Sequence, residues 1–198
     1  MKNLYIVAGI NGAGKSTLYE TDQDLFKNSK RINADEIAKK NNWDWRDSTS
    51  NYKALMKVHS ELKHAMQLGQ SINIETTLAS SVKSYRRLLE RAKNKNYTVN
   101  LIYIGLDSDN LAVKRVNHRV RIGGHGVPER TIKIRYKKSV DHLSQLIYLF
   151  DNVRIYNNTD KFEVLYIREG KRTIIKSKKN IKWAKKAIEN DVDFYNTK

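Results

Sequence analysis

The hydrophobic residues of this chain fall into two patterns that alternate along its length. Short apolar runs rich in β-branched residues are typical of buried strands, and apolar residues three or four apart are typical of amphipathic helices. The runs predict strands at residues 4–8, 71–75, 98–106 and 153–156, with a brief strand or bend at 31–33. The spacing predicts helices at residues 15–22, 34–40, 52–68, 82–95, 109–120, 128–150 and 180–189. Strands that alternate with helices predict an α/β fold with a mainly parallel sheet.

The third predicted helix has a clear apolar face. Leu55, Val58, Leu62 and Met66 recur at helical spacing, so we expect them to point inward. Gly69 follows them directly and predicts the end of the helix.

The C-terminal part of the chain carries a hairpin signal. Two strand-like runs flank Glu169-Gly170, which predicts a β-hairpin that adds an antiparallel edge to the sheet. No repeat, low-complexity tract or linker interrupts the sequence. We therefore expect a single domain over residues 1–198, with a core at about 3–157 and a terminal hairpin and helix at about 161–195.

The composition limits where the protein works. Hydrophobic residues make up 39% of the chain and charged residues 30%, and the mean hydropathy is −0.69. No segment approaches the roughly 18 apolar residues that a membrane span needs. The chain runs straight into the glycine-rich motif described below, so we expect no cleaved signal. There is no cysteine, which excludes disulfides and thiolate metal sites. We expect a cytoplasmic protein without a membrane partner.

The positive charge is concentrated in one internal stretch. The net charge is +17, and residues 83–138 alone carry 15 basic and 4 acidic residues, a net of +11. Residues 161–198 add a net of +6. A cationic surface can attract nucleic acid, but cations are also needed around bound phosphates, and a lysine-rich proteome raises the charge without a functional reason. A nucleic-acid partner is therefore open, although we do not favour it.

A phosphate-binding loop follows the first predicted strand and opens the first predicted helix. The sequence from Gly9 to Thr17 matches G-x-x-x-x-G-K-[ST]. Its glycines let successive backbone N–H groups converge on phosphate oxygens, Lys15 reaches the β- and γ-phosphates, and the Ser16 hydroxyl can ligate Mg²⁺. The predicted nucleotide-binding residues are Gly9, Asn11, Gly12, Ala13, Gly14, Lys15, Ser16 and Thr17.

Carboxylates follow two further predicted strands. Asp35 lies just beyond the first helix, where it can accept the proton of an attacking hydroxyl, but Asn33 or Asp35 can equally well be a helix cap. Glu75, Thr76 and Thr77 end a predicted strand. Ligands of open α/β sheets bind at such strand ends, so these three can contact substrate or orient Mg²⁺, or can be ordinary strand-end polar residues.

Arginines precede a glycine-rich loop. Arg115 and Arg119 share a helix face, Arg121 follows, and the loop Gly123–Gly126 contains His125. Such a pattern is typical of a phosphoryl-transfer lid, although it also fits a solvated basic face. The histidine on its own is a weak signal.

Two tryptophans stand close together. Trp43 and Trp45 can stack on a sugar or base, or form a buried corner, and we favour the buried corner.

Together these residues resemble the zeta-toxin family of P-loop kinases, especially its small, compact branch. The resemblance rests on Gly9–Thr17, Asn33-Ala34-Asp35, Glu75-Thr76-Thr77-Leu78 and above all the string Arg119–Ser139, which reads R-V-x-x-G-G-H-x-V-P-E-x-x-I-x-x-R-Y-x-x-S. It covers roughly residues 3–157. The Asn-Ala-Asp-Glu segment departs from the Asp-x-Asp-x-Phe-Arg pattern of the larger toxins.

The resemblance implies a nucleotide-kinase-like three-layer sandwich that transfers the γ-phosphate of ATP, with Mg²⁺, to a hydroxyl. In the well-known members the acceptor is UDP-N-acetylglucosamine, and an antitoxin protein is a further expected partner. Lys15 and Ser16 would hold the triphosphate and Mg²⁺, and Asp35 would be the base. The acceptor would contact Glu75, Thr76 and Thr77, and the lid arginines would be Arg115 and Arg119.

Two other functions fit parts of the sequence. The +11 stretch motivates the alternative of a polynucleotide-end kinase, whose binding to oligonucleotides would weaken steeply with salt. An ATP-switched binding module without an acceptor would bind nucleotide and hydrolyse it slowly.

Overall fold

The computed structural model describes residues 1–44 and 46–197, with all of their side chains except that of Gln23. The strands are β1 (Lys2–Ala8), β2 (Ser29–Ile32), β3 (Ser71–Thr76), β4 (Tyr97–Gly105), β5 (Asn152–Asn157), β6 (Glu163–Glu169) and β7 (Arg172–Lys176). The helices are α1 (Lys15–Thr21), α2 (Ala34–Lys40), α3 (Ser48–Gln67), α4 (Val82–Lys93), α5 (Asp109–Arg121), α6 (Glu129–Leu146) and α7 (Lys182–Asn196). Short 3₁₀ turns occupy Gln23–Phe26 and Ile147–Leu149. None of the helices described is both long and apolar enough to span a membrane.

One sheet contains all seven of these strands in the order β2-β3-β1-β4-β5-β6-β7. The first five strands in this order are parallel, and β6 and β7 are antiparallel additions at one edge. This confirms the predicted α/β fold and the predicted antiparallel hairpin. Because β1 lies between β3 and β4, the loop after β1 emerges at the centre of the carboxyl edge of the parallel strands.

Hydrophobic clusters cover both faces of the sheet and make a three-layer fold. One cluster joins the sheet to α3, α4 and α7, with Leu62, Leu89 and Trp183 among its buried members. The other joins it to α1 and α5 through residues such as Leu18 and Val116. Both faces of the central strands β1 and β4 are therefore largely buried, which explains why their sequences are rich in consecutive apolar residues.

Helix α3 differs from its prediction in its start and its buried face. It begins at Ser48 because the Asp47 carboxylate caps it, accepting hydrogen bonds from the backbone N–H groups of Thr49 (3.1 Å) and Ser50 (2.8 Å). The prediction that Leu55 points inward was wrong, since that side chain is 50% exposed. The helix packs through Ala54, Leu62, Ala65 and Met66 instead.

Helix α7 runs to Asn196, well beyond the predicted end at residue 189, because its last turns are fixed by a buried ion pair. The Asp191 carboxylate is fully buried and accepts hydrogen bonds from Arg168 Nε (2.6 Å) and the Tyr166 hydroxyl (2.9 Å) of β6. The Arg168 guanidinium also donates to the backbone carbonyls of Asp151 (2.9 Å) and Phe150 (3.0 Å). Each polar atom of the pair is thus satisfied, as burial of charge requires.

This ion pair should be essential for stability. We expect Asp191→Ala to lower the free energy of unfolding by about 3–5 kcal/mol, because it leaves the Arg168 charge buried without a counter-charge. Urea denaturation followed by circular dichroism measures the change. Glu189→Ala is the control, since its ion pair with Lys185 on the same helix is exposed and should contribute less than about 1 kcal/mol. Equal effects of the two changes would contradict this account.

Candidate functional site

The loop between β1 and α1 is wedged between the ends of the neighbouring strands. The Gly9 N–H donates to the Thr76 carbonyl at the end of β3 (3.2 Å). On its other side, a Cβ atom at Gly9 would lie 2.3 Å from the Ile104 carbonyl oxygen of β4, and the Gly9 φ is +145°. Only glycine fits this close backbone approach, which fixes where the loop begins.

Lys15, the first residue of α1, turns its ammonium group back over the loop. Its Nζ donates to the carbonyl oxygens of Gly9 (2.7 Å) and Ile10 (3.2 Å) and lies 3.7 Å from Glu75 Oε1. Burial lowers the pKa of Lys15, and the negative charge of Glu75 opposes that shift. Glu75 is therefore the nearby counter-charge that favours the ammonium form of this buried lysine.

The Glu75 carboxylate joins the loop to the neighbouring strand. Its Oε2 accepts hydrogen bonds from Asn33 Nδ2 (2.7 Å) and Arg31 Nη2 (3.4 Å). Arg31 in turn pairs with Glu36 (3.0 Å) and stacks over the Tyr19 ring at 3.6 Å. A charged network thus links α1, the end of β2, α2 and the end of β3.

Asn33 takes the capping role that the sequence left open between Asn33 and Asp35. Its Oδ1 accepts hydrogen bonds from the backbone N–H groups of Asp35 (2.8 Å) and Glu36 (3.4 Å). The Asp35 carboxylate is therefore not used as the cap of α2, and the residue lines the same cavity as Lys15 and Glu75.

The two predicted lid arginines reach this cavity from α5. Arg115 Nη2 donates to the Thr159 carbonyl (2.8 Å), which ties it to the loop after β5. The Nε and Nη2 atoms of Arg119 are buried and have no hydrogen-bond acceptor within residues 1–44 and 46–197. A buried guanidinium in that state is suited to the oxygens of an anion. Arg121 does not line the cavity.

Arg135 on α6 is a site residue to which the sequence analysis gave no role. Its Nη1 donates to Asn11 Oδ1 in the phosphate-binding loop (3.0 Å). Burial lowers the pKa of both Arg135 and the nearby His125, and the negative charge of Asp35 opposes each shift. The signal was present in the sequence, because Arg135 lies three residues after the inward-facing Ile132 and therefore on the same side of the helix.

The loop after β5 supports the phosphate-binding loop, and nothing in its sequence indicated this. Asn158 Nδ2 donates to the Ala13 carbonyl (2.9 Å), while the Asn158 backbone N–H donates to the Gly105 carbonyl (2.9 Å). A short polar loop in a sequence does not indicate which backbone groups it will contact. Asn158 supports the phosphate-binding loop only because the sheet order places the end of β5 near that loop.

Many of these residues line one open cavity of about 670 Å³, a size typical of small-molecule sites, whereas Tyr19, Arg135 and Asn158 do not. Its lining residues from the sequence prediction are Asn11, Gly12, Gly14, Lys15, Ser16, Thr17, Asp35, Glu75, Arg115 and Arg119. Thr76 and Thr77 do not line it, and the Thr76 hydroxyl lies 2.6 Å from the Tyr85 hydroxyl instead. Trp43 lines the cavity and also packs against the core, whereas Trp45 lies outside the described residues.

The wedge geometry predicts that Gly9 cannot be replaced. We expect Gly9→Ala to lower the free energy of unfolding by about 2–5 kcal/mol, because the added Cβ would collide with the backbone of β4. Gly123→Ala is the matched control: φ is +86°, no atom lies within 4 Å of the added Cβ, and the cost should be about 1 kcal/mol. Chemical denaturation of both variants measures the difference in the free energy of unfolding. A Gly9 variant as stable as the control would contradict the close packing of Gly9 against β4.

Comparison with known proteins extends the resemblance beyond the motifs. The model of the family described as zeta toxin matches residues 1–170. An uncharacterized protein of Haemophilus influenzae is 31% identical over 131 residues, which is 65% of this chain and 88% of that protein.

Solved structures share the fold at low sequence identity. A structure from the PezAT chromosomal toxin–antitoxin system of Streptococcus pneumoniae superposes with a TM-score of 0.65 at 18% identity, covering 100% of this chain and 88% of that one. The complex of AvrRxo1-ORF1 and ORF2 with ATP gives a TM-score of 0.67 at 14% identity, covering 96% of this chain and 64% of that one. With a family match across the whole phosphate-binding core, this chain belongs to the zeta toxin family and is a P-loop kinase.

Proposed function

We propose that this kinase transfers the γ-phosphate of ATP to a hydroxyl of UDP-N-acetylglucosamine or a related sugar nucleotide. The observation that carries the proposal is the shared cavity, in which the Asp35 carboxylate is left free by the Asn33 cap and faces the same space as the phosphate-binding loop. Zeta toxins are the family in which such an acceptor is expected, and the cavity has room for a small molecule beside the phosphates.

The donor half of the cavity suits a triphosphate and Mg²⁺. Gly12, Gly14 and Ser16 line it at the positive end of α1. Lys15 also lines it, and its Nζ could exchange its hydrogen bonds to loop carbonyls for hydrogen bonds to phosphate oxygens. No cluster of three or more His, Asp or Glu side chains in the described parts of the chain could hold a metal ion. Mg²⁺ at such sites is held by phosphate oxygens, water and one or two protein oxygens, and the exposed Ser16 hydroxyl fits that donor set.

Three arginines can neutralise the charge of the transferring group. Arg115 and Arg119 line the cavity, and Arg135 donates to Asn11, which also lines it. The Nε and Nη2 atoms of the half-buried Arg119 have no protein acceptor among the described residues and can donate to the γ-phosphate oxygens. Donors fixed in place before the reaction stabilise developing charge more than donors that must first reorganise.

The acceptor half lies between α2 and the end of β3. Asp35 would take the proton from the acceptor hydroxyl as the new oxygen–phosphorus bond forms and the bond to ADP breaks. Glu75 is oriented by Asn33 and Arg31, and Trp43 offers a flat apolar surface to a sugar or base. Contacts of Thr76 and Thr77 with the acceptor stay a prediction, since those residues lie beside the cavity rather than in it.

A protein antitoxin is the second partner that we propose. The PezAT structure comes from a toxin–antitoxin system, and it resembles this chain over its whole length. A partner that covered the cavity mouth would prevent ATP from reaching Lys15.

The distribution of charge supports a small acceptor over a nucleic-acid end. Residues 83–138 include most of α4, then β4, α5 and the first part of α6, and the buried faces of α4 and α5 pack on opposite sides of the sheet. The +11 charge is thus divided between the two faces of the sheet. Part of it lies at the cavity: Arg115 and Arg119 line it, and Arg135 donates to Asn11, which lines it. A nucleic-acid surface needs its cations on one continuous face.

Phosphoryl transfer tests the proposal directly. Incubation with ATP, Mg²⁺ and a panel of UDP-sugars should yield a phosphorylated sugar nucleotide detectable by mass spectrometry. Asp35→Asn should lower kcat by about 10²–10⁴ without weakening ATP binding, because the base is lost and the phosphate-binding loop is intact. Glu90→Gln, an exposed change on α4, is the control. Absence of transfer to every UDP-sugar would exclude this acceptor class, and an undiminished rate in Asp35→Asn would exclude Asp35 as the base.

The lid arginines can be tested by comparing two neighbours on the chain. Arg119→Ala should lower kcat by about 10²–10³, since its buried guanidinium is available to the transferring phosphate. Arg121→Ala removes an equal positive charge from a residue that lies two positions further along the chain and does not line the cavity. This change should alter kcat less than about threefold. Steady-state kinetics at saturating ATP measures both. Equal losses would indicate that general positive charge, rather than the Arg119 contact, supports catalysis.

A further inference from the structure

The outer edge of the sheet is an exposed strand. β7 is the last strand in the sheet order, and all five of its residues are exposed. Such an edge presents a row of backbone N–H and C=O groups without strand partners. Two adjacent apolar side chains, Ile174 (46% exposed) and Ile175 (41% exposed), stand in its middle. A register shift between β6 and β7 leaves Ile174 without a partner in β6 and interrupts the regular pairing. Within the described residues, however, nothing pairs with the outer side of β7.

A dense positive charge surrounds this edge. Residues 171–186 contain eight lysines and arginines and no aspartate or glutamate. Two of these cations are paired, Lys179 with Glu163 (2.7 Å) and Lys185 with Glu189 (4.0 Å). Those without an ion pair among the described residues are Lys171, Arg172, Lys176, Lys178, Lys182 and Lys186.

A cleft with an apolar floor lies where β7 leads into α7. It has a volume of about 240 Å³ and is lined by Leu165, Ile181 and Ile188, with Lys176 and Lys178 at its rim. The helix beside it is fixed to the sheet by the buried pair of Arg168 and Asp191, so the cleft is a preformed feature. Apolar side chains of a bound segment could fill it while acidic ones reach the lysines.

We propose that β7 and this cleft form a docking surface for an acidic protein segment that adds to the sheet as a further strand. Strand addition would satisfy the free backbone groups of β7. Carboxylates of the segment would pair with the unpaired cations of residues 171–186. Its apolar residues, which lie on one face of the added strand, would pack against the exposed isoleucine side chain on that face of β7. The partner is therefore a polypeptide with alternating acidic and apolar residues.

The surface fits a polypeptide better than a nucleic acid. The lysines alone would suit either polyanion, but a nucleic acid cannot pair with a strand edge and gains little from isoleucines or an apolar floor. Single-stranded nucleic acids bind by stacking on exposed aromatic rings, and Trp183, the one aromatic residue of 171–186, is 6% exposed.

The docking surface is independent of the proposed reaction. Apart from Leu165 in the cleft, it belongs to residues 171–197, which follow the part of the chain that the family model matches. None of its residues lines the cavity that holds Lys15 and Asp35. Loss of docking and loss of phosphoryl transfer can therefore be measured separately.

The test uses the full chain and a fluorescein-labelled peptide of about ten residues in which glutamate and valine alternate. A second peptide replaces alternate valines with proline, which keeps the charge but removes backbone donors. A single-stranded oligonucleotide is the third probe. Fluorescence anisotropy at low salt should show the alternating peptide binding at least about tenfold more tightly than the proline peptide. Hydrogen exchange of the β7 amides should slow only with the alternating peptide.

Two variants locate the binding. Replacing Lys176, Lys178 and Lys182 together with glutamate should weaken peptide binding at least about tenfold, because it reverses three of the unpaired charges. The matched control replaces Lys53, Lys57 and Lys63, three exposed lysines of α3, which packs against β2 and β3 toward the other end of the sheet. A milder variant, Ile174→Thr with Ile175→Thr, tests the apolar contribution without changing charge.

The outcomes separate the alternatives. Equal binding of both peptides would show attraction by charge alone and overturn strand addition. Tighter binding of the oligonucleotide, lost in the β7–α7 lysine variant, would reassign the surface to nucleic acid. No peptide binding, or equal losses in the two lysine variants, would also overturn the proposal. Unfolding curves that match the parent protein confirm that each variant is folded.

Discussion

The counter-charge that Glu75 gives to Lys15 holds the centre of this structure together. A buried ammonium group is costly unless an opposite charge and hydrogen-bond acceptors lie close to it, and Lys15 has Glu75 at 3.7 Å and two backbone carbonyls. Glu75 is held by Asn33 and Arg31, and Asn33 also caps α2. One carboxylate at the end of β3 therefore sets the position of the phosphate-binding lysine and of the helix that carries Asp35.

The sheet order brings this arrangement about. Because β1 lies between β3 and β4, the loop after β1 contacts Thr76 on one side and Ile104 on the other. The cavity lies at this carboxyl edge of the parallel strands. The helices on the two faces complete it in different ways. α5 contributes the cations Arg115 and Arg119, and α2 contributes the Asp35 carboxylate. All three line the same cavity as the phosphate-binding loop.

Most of the fold and the presence of the phosphate-binding loop could be predicted from sequence. The glycine pattern, Lys15 and the buried runs of β1, β3 and β4 are local signals with local causes, and they were read correctly as an α/β fold. The extent of α7 and the face of α3 could not be predicted in this way. The last turns of α7 depend on a buried partner in β6, and Leu55 is exposed because α3 packs through small alanines instead.

By itself, the sequence determined that this protein has a phosphate-binding loop and a mainly parallel sheet, because each follows from a short run of residues whose backbone requirements are specific. Only the tertiary structure decided which residue caps α2, that Arg135 holds Asn11, and that Asn158 supports the loop. It also left β7 as an open, basic edge. These features join residues far apart in the chain, and their contacts arise only when the strands take their order in the sheet.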